Sequence, residues 1–150
     1  MEQFKIEHFE SDGPWRSFPE FVTLSKDEAD RIRLTFERKT GIDTTKDKWD
    51  LLRYLESLSC QVKNVNAESE DFDLSLIAYK VGLKPRDEIY INWDDFTTID
   101  RMNFLDLSKY FDDIWYPGPD DIEIFDDTFS WILFISHWGG VNFLDLTKFS

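Results

Sequence analysis

Apolar residues recur at helical spacing in the first half of the chain. Ser25 and Glu28 form a capping-box pattern, because each side chain can satisfy a free backbone donor of the other residue. The apolar stripe that follows predicts a helix that ends near Gly41, a typical helix stop. A second stripe predicts a helix from about Lys46 to Ser59. The stripe residues are Ala29, Ile32 and Phe36 in the first helix and Trp49, Leu51, Leu52, Leu55 and Leu58 in the second.

After residue 71 the apolar positions alternate, which is the spacing of a strand with one buried face. Alternation predicts a strand over residues 72–78 and another over residues 89–93. The segment 84–87, with its proline, lysine and aspartate, is typical of a turn. We therefore expect these two strands to pair.

The C-terminal part of the chain is also strand-like. Residues 122–125 and 141–144 are short apolar segments, and Gly139-Gly140 before the second is typical of a tight hairpin turn. Residues 131–135 are apolar on both faces. This pattern predicts a central strand that is covered on both sides.

Two stretches have no clear period. Residues 1–22 contain glycine and prolines, and we interpret them as an irregular segment anchored by aromatic side chains. Residues 95–111 are ambiguous, with a short helix expected over 105–111. The near repeat of NFLDLSKYF at 103–111 and NFLDLTKF at 142–149 has no matching flanks, which favours coincidence over a repeat architecture.

Together these patterns predict an α+β fold in which two N-terminal helices pack on a mostly antiparallel sheet. The length of 150 residues predicts a single globular domain over 1–150. Hydrophobic residues make up 41% of the chain, with 14 Phe and 6 Trp. This content excludes a disordered chain and predicts a core rich in aromatic rings.

The charge of the chain is strongly negative. There are 31 Asp and Glu against 17 Lys and Arg, a formal net charge of −14. Residues 92–150 contain 12 acidic and 3 basic residues, net −9. Such a field repels nucleic acid and anionic membranes and attracts basic partners. The alternative interpretation is that the acidity serves solubility alone.

Several classes of site are disfavoured by composition. One cysteine allows no internal disulfide, and two histidines with one cysteine make no zinc cluster. The six glycines form no phosphate-binding loop. The chain shows neither an apolar leader nor a membrane-length apolar run. We therefore expect a cytoplasmic protein with no cofactor, no metal, no nucleic-acid partner and no membrane partner.

Acid–base chemistry is the main catalytic possibility. His137 follows the expected central strand, and with Asp120 or Asp121 it is a candidate base. No nucleophile motif accompanies it, so a structural histidine bonded to a turn carbonyl or carboxylate is favoured. Adjacent carboxylates on a strand face opposite sides, which favours turns and a solvated acidic surface over paired catalysis. The four pairs are Asp94-Asp95, Asp112-Asp113, Asp120-Asp121 and Asp126-Asp127.

Aromatic residues beside these acidic pairs are candidates for partner binding, since Trp and Tyr are enriched at binding hot spots. They lie in loops that flank the expected sheet. The alternative is that they cap the core. The candidate partner-binding residues are Trp115, Tyr116, Asp120, Asp121, Asp126, Asp127 and Trp138.

The C-terminal half resembles a known type of protein. Residues 113–117 (DIWYP), residues 120–126 (DDIEIFD), Trp131 and residues 135–137 (ISH) followed by Gly139 resemble small acidic bacterial proteins of uncharacterised activity. Such proteins are of the type that provides immunity in polymorphic toxin and contact-dependent inhibition systems. The resemblance implies an α+β protein, without catalytic residues, that neutralises a cognate toxin domain by binding it. Toxin domains of this kind are often nucleases with basic clefts, which an acidic partner would complement.

Three hypotheses follow. The first is a non-enzymatic immunity protein that binds a basic toxin domain. The second is a general protein-binding module in the style of the SMI1/KNR4-like proteins, which an isolated gene without a toxin neighbour would favour. The third is a small hydrolase that uses His137 with Asp120 or Asp121, for which loss of the histidine should abolish turnover while the fold persists.

Overall fold

The computed structural model describes residues 1–149, which form a sheet with helices on both faces. The helices are α1 (Gln3–Ser11), α2 (Lys26–Thr40), α3 (Leu51–Leu58), α4 (Leu74–Lys80), α5 (Phe104–Lys109) and α6 (Phe111–Ile114). The strands are β1 (Phe21–Thr23), β2 (Cys60–Gln61), β3 (Glu88–Asp94), β4 (Thr98–Asn103), β5 (Ile122–Phe125), β6 (Trp131–Ile135) and β7 (Val141–Asp145), with a 3-10 helix at Leu146–Lys148. The α+β class is confirmed.

The seven strands follow the order β1-β4-β3-β5-β6-β7-β2, and every neighbouring pair is antiparallel. Register places Asn92 opposite Glu123, Glu123 opposite Phe134, and Phe134 opposite Asn142. Directly opposed residues share a face of the sheet. Their side chains therefore form a row across β3, β5, β6 and β7 on one face of the sheet.

Each face of the sheet has its own hydrophobic core. Helices α1, α4, α5 and α6 cover one face, and α2 and α3 cover the other. Strand β6 contributes alternately to both cores, with Leu133 in the first and Ile132 and Phe134 in the second. All five residues of β6 are buried, which confirms the prediction of an interior strand covered on both sides.

Helices α2 and α3 are the two helices expected from the sequence. The Ser25–Glu28 capping box is present, and Gly41 ends α2 in the left-handed conformation with φ of 76°. Helix α3 begins later than expected, at Leu51 rather than near Lys46. The side chain of Asp50 accepts a hydrogen bond from the Leu52 N–H, so this residue is the N-cap that fixes the start.

The prediction that residues 1–22 are irregular was wrong. This segment contains α1 and the start of the edge strand β1. The buried positions of α1 are Lys5 and Phe9, one helical turn apart. A lysine in a buried position hides the apolar period, so the pattern of hydrophobic residues gave no sign of the helix.

The predicted strand over residues 72–78 was also wrong, because this segment forms α4. Its buried residues are Leu74, Ile77 and Ala78, which lie at helical spacing. The Asp73 side chain caps the helix by accepting from the Leu76 N–H. The apolar residues of this segment fit the spacing of a strand as well as that of a helix, and the Asp73 cap favours the helix. The predicted strand over 89–93 is present as β3, but its partners are β4 and β5.

The β3–β4 hairpin lies in the stretch that was ambiguous in sequence. Its turn holds Asp95 and Phe96 in the left-handed region, with φ of 42° and 59°. Neither residue is glycine or asparagine, so the usual signature of such a turn is missing. The expected helix over 105–111 is present in two parts, α5 and α6.

The C-terminal strands β5, β6 and β7 confirm the predictions for residues 122–125, 131–135 and 141–144. The two copies of the near repeat differ in structure: Asn103 caps α5, whereas Asn142 lies within β7. Coincidence was therefore the correct interpretation. Within residues 1–149, none of the helices combines the length and apolar character that crossing a bilayer requires.

Candidate functional site

Two of the seven candidate residues belong to a buried network rather than to the surface. Trp115 is 2% exposed, and its indole Nε1 donates to the backbone carbonyl of Asp120 at 3.0 Å. The Asp120 carboxylate accepts from the Tyr116 N–H at 2.8 Å and from Lys5 Nζ at 2.5 Å. Lys5 also lies over the ring of Trp93, with its Nζ 4.2 Å from the ring centre. A partner that docks on this surface does not reach Trp115, and Asp120 is engaged in holding α1 to the sheet.

Asp126 is likewise a structural residue. It is fully buried and accepts from the Arg86 N–H at 3.1 Å, the Trp131 indole at 3.1 Å and the Thr128 N–H at 3.0 Å. The Thr128 hydroxyl donates to it as well. Its neighbour Asp127 is exposed and pairs with Arg86 Nε at 3.0 Å. The Asp126 carboxylate is therefore engaged inside the fold and does not reach the surface, and the roles of Asp126 and Asp127 in partner binding stay predictions.

The remaining candidates reach the surface at one end of the sheet. Trp138 is 54% exposed and Asp121 is exposed, whereas Tyr116 is half-buried. The Gly118 N–H donates to the His137 carbonyl at 2.9 Å, which joins the loop after Tyr116 to the β6–β7 turn. The structure thus brings the 116–121 and 137–138 segments together, and their role in partner binding stays a prediction.

A cleft of about 310 Å³ opens beside these segments, between α3 and the strands β5, β6 and β7. We call it the acidic cleft. The side chains that matter for its chemistry are Glu56, Asp121, Glu123, His137, Trp138 and Asn142. Its volume lies at the lower end of the range of small ligand pockets.

Glu123 forms the floor of the acidic cleft. Its side chain is 4% exposed, and Asn92 Nδ2 donates to its Oε2 at 2.9 Å. Burial raises the pKa of Glu123 to about 8, and the carboxylates of Glu56, Asp121 and Asp50 add to the effect. The Asn92 hydrogen bond acts in the opposite direction, since it favours the ionised form. Near neutral pH this buried carboxyl therefore holds a proton.

Helix α3 places further carboxylates along the same side of the molecule. Burial raises the pKa of Glu56, on the helix, and of Asp95, in the β3–β4 turn, and the charge of Asp50 at the helix N-terminus raises both further. Asp121 contributes to the shift of Glu56 as well. Asp50 and Asp95 border one surface cleft, and Glu56 and Asp121 border the acidic cleft. We call these four carboxylates the acidic face.

Exposed tryptophans lie at both ends of the acidic face. Trp49 is 61% exposed and lies beside Asp50 and Asp95, while Trp138 borders the acidic cleft at the other end. Arg33 and Lys48 also border the Trp49 end, so the charge there is mixed. Sequence reasoning used Trp49 only as a helix-stripe residue. Trp49 directly precedes Asp50, which is a favourable N-cap residue. This position was the signal that Trp49 lies before α3 and not on its buried face.

The chemistry available in the acidic cleft is proton transfer and cation binding. His137 Nδ1 lies 3.0 Å from Asp121 Oδ1, and the same oxygen accepts from the His137 N–H at 2.6 Å. The expectation of a histidine bonded to a carboxylate is confirmed, with Asp121 and not Asp120 as its partner. Among residues 1–149, no serine or cysteine side chain hydrogen-bonds to His137, and no group of three or more metal-ligating side chains is placed to hold an ion.

Comparison with known proteins assigns no family to the chain: no family model matches it, and neither a curated protein nor a solved structure shows a significant match. The function is therefore inferred from the acidic face and the acidic cleft themselves.

Proposed function

We propose that the protein is a cytoplasmic immunity protein that binds a cognate bacterial toxin domain, a basic protein with nuclease activity, and neutralises it by contact. The observation that carries this proposal is the acidic face with exposed Trp49 and Trp138 at its two ends. Carboxylates speed the encounter with a basic partner, and tryptophan side chains are enriched among the residues that contribute most to binding energy at interfaces.

The position of the charges supports binding over a purely solubilising role. Solubility requires charges that are spread over the surface, and each can be fully hydrated. Here Asp50, Glu56 and Asp121 lie close enough to Glu123 to influence its ionisation. Like charges held this close repel one another, and a basic partner relieves that repulsion.

The test is neutralisation of the toxin encoded beside this gene. Cells that express the toxin should grow when the wild-type chain is co-expressed. A double variant with Glu56→Lys and Asp121→Lys should lose protection. The matched control, Glu7→Lys and Asp71→Lys, makes the same change in net charge at exposed positions outside the acidic face and should protect. Failure of the wild-type chain to bind or protect against that toxin would overturn the proposal.

One observation favours a second function, a small hydrolase. The His137–Asp121 pair lies in the same cleft as the protonated Glu123, so a base and an acid are present together. Water would have to be the nucleophile. Under this hypothesis His137→Ala abolishes turnover of a substrate, whereas under the immunity proposal the same variant still protects cells from the toxin.

A further inference from the structure

The acidic cleft contains a buried residue, Glu123, one of whose carboxyl oxygens has no hydrogen-bond partner in the protein. Glu123 Oε2 accepts from Asn92, but Oε1 accepts no hydrogen bond from residues 1–149. Within residues 1–149, every side-chain oxygen or nitrogen that is fully inaccessible to solvent has a hydrogen-bond partner. Oε1 is therefore reached from the cleft, at the bottom of which Glu123 lies. A cation that enters the cleft can displace the proton of the Glu123 carboxyl and donate a hydrogen bond to Oε1.

The wall of the acidic cleft carries an aromatic ring in a fixed position. A Cβ built on Gly140 would lie 2.2 Å from the Trp138 ring, so the indole rests directly on the glycine backbone. The Ala67 N–H donates to the Gly139 carbonyl at 2.8 Å and so fixes the β6–β7 turn. The ring nevertheless remains 54% exposed. An exposed indole face attracts cations, and a planar guanidinium can stack on it.

We propose that the acidic cleft receives an arginine side chain of the basic partner, whose guanidinium hydrogen-bonds to Glu123 and Glu56 and lies against Trp138. This inference rests on the proposed function, because a basic protein must present the side chain. Arginine fits better than lysine, since its fork of donors can serve two carboxylates and its plane can stack on the indole.

Binding of a cation in this cleft releases a proton. A positive charge favours the ionised form of Glu123, so affinity should increase as the pH rises from 6 to 8.5. The other titratable groups that face Glu123 are Glu56 and Asp50 from α3, Asp121 from the start of β5, and His137 from the β6–β7 turn. The Glu123→Gln variant retains these other groups but has no carboxyl at position 123 that can ionise. Any pH dependence that remains in the variant therefore comes from the other groups.

The experiment uses the full-length ¹⁵N-labelled protein and two capped peptides, acetyl-Gly-Arg-Gly-amide and its citrulline analogue. The arginine peptide should shift the Trp138 indole signal and the Asn142 side-chain amide, with stronger binding at pH 8.5 than at pH 6. The indole of Trp15, which is 95% exposed and outside the cleft, should not shift. The citrulline peptide, which has the same shape without the charge, should not bind.

The variants give the second half of the test. Glu123→Gln should weaken binding about tenfold at pH 8.5 and flatten its pH dependence. Trp138→Ala should weaken it as well, whereas Asp71→Asn, at an exposed position outside the cleft, should leave it unchanged. Equal binding of both peptides, shifts confined to other residues, or no shift at millimolar peptide would overturn the inference. Any of these results would leave toxin neutralisation intact, so the two proposals fail separately.

Discussion

Asn92 and Glu123, on neighbouring strands, share a hydrogen bond of 2.9 Å at the bottom of the acidic cleft. The same asparagine accepts from the Phe96 N–H at 3.0 Å, within the β3–β4 turn. One side chain thus orients the carboxyl that faces the cleft and supports a backbone conformation that phenylalanine rarely adopts. The cleft and the turn are therefore coupled through Asn92.

Loss of this link should be costly. Asn92→Ala removes the partner of Glu123 Oε2 and of the Phe96 N–H, both of which are buried. We expect the free energy of unfolding to fall by about 2 to 4 kcal/mol in urea titrations. The pKa of Glu123 should also rise further, since the Asn92 hydrogen bond lowers it. Unchanged stability together with an unchanged carboxyl titration by ¹³C NMR would contradict this role.

Glu123 should make the stability of the protein depend on pH. Its pKa rises from 4.5 in the unfolded chain to about 8 in the fold, so the folded state keeps a proton that the unfolded chain has lost. The unfolded state then binds fewer protons, and stability falls as the pH rises between these values. Glu123→Gln removes this pH-dependent contribution. Between pH 4.5 and pH 8.5, the free energy of unfolding of the variant should therefore rise relative to that of the wild type by roughly 3 to 5 kcal/mol.

Urea unfolding of both proteins at pH 4.5, 6.5 and 8.5 measures this difference. Asp127→Asn, which removes an exposed carboxylate of the same segment, is the control and should follow the wild type at all three values. A constant difference between Glu123→Gln and the wild type across the range would show that the Glu123 carboxyl has the same pKa in the folded and unfolded states, and would contradict this prediction.

The Lys5–Asp120 pair should behave as a unit. Lys5→Met leaves a buried carboxylate without its cation and should cost about 3 to 5 kcal/mol. Asp120→Asn leaves the ammonium unpaired but still offers an oxygen to the Tyr116 N–H. The double variant should therefore lose clearly less than the sum of the two single losses. Additive losses in a double-mutant cycle would mean that the two groups contribute independently.

Asp126 and Asp127 provide a matched comparison between neighbours. Asp126→Asn keeps only one acceptor oxygen for donors from Arg86, Thr128 and Trp131, and we expect a loss of about 2 to 4 kcal/mol. Asp127→Asn breaks an exposed pair with Arg86 and should cost no more than about 1 kcal/mol. Thermal and urea unfolding of the two variants would test this order, and a larger loss for Asp127→Asn would reverse it.

The parts of the fold that were predicted correctly are those set by local sequence. The Ser25–Glu28 capping box and Gly41 fix α2 within the segment itself, and the apolar run 131–135 is buried on both faces wherever it lies in the sheet. Helix α1 and the Asp95-Phe96 turn were missed for the opposite reason. Lys5 is buried because a distant Asp120 pairs with it, and Asn92 supports the turn.

The candidate site divides in the same way. The exposed loop residues Asp121 and Trp138 were found because acid and aromatic residues are adjacent in sequence there. Glu56 and Asp50 were not identified from the sequence, because only the packing of α3 on the sheet brings them near Glu123. A buried glutamate in the middle of an apolar strand was the one available signal, and the strand pattern concealed it.

The short strands β1 and β2 at the two borders of the sheet determine how other chains can attach. With three and two residues, they offer few unpaired amides and carbonyls to an incoming strand. Growth of the sheet by strand addition, and the fibrous aggregation that follows from it, is thereby discouraged. Under the proposed function, recognition would therefore depend on side chains, and substitution of surface residues would change the partner while the backbone pairing of the sheet stays the same.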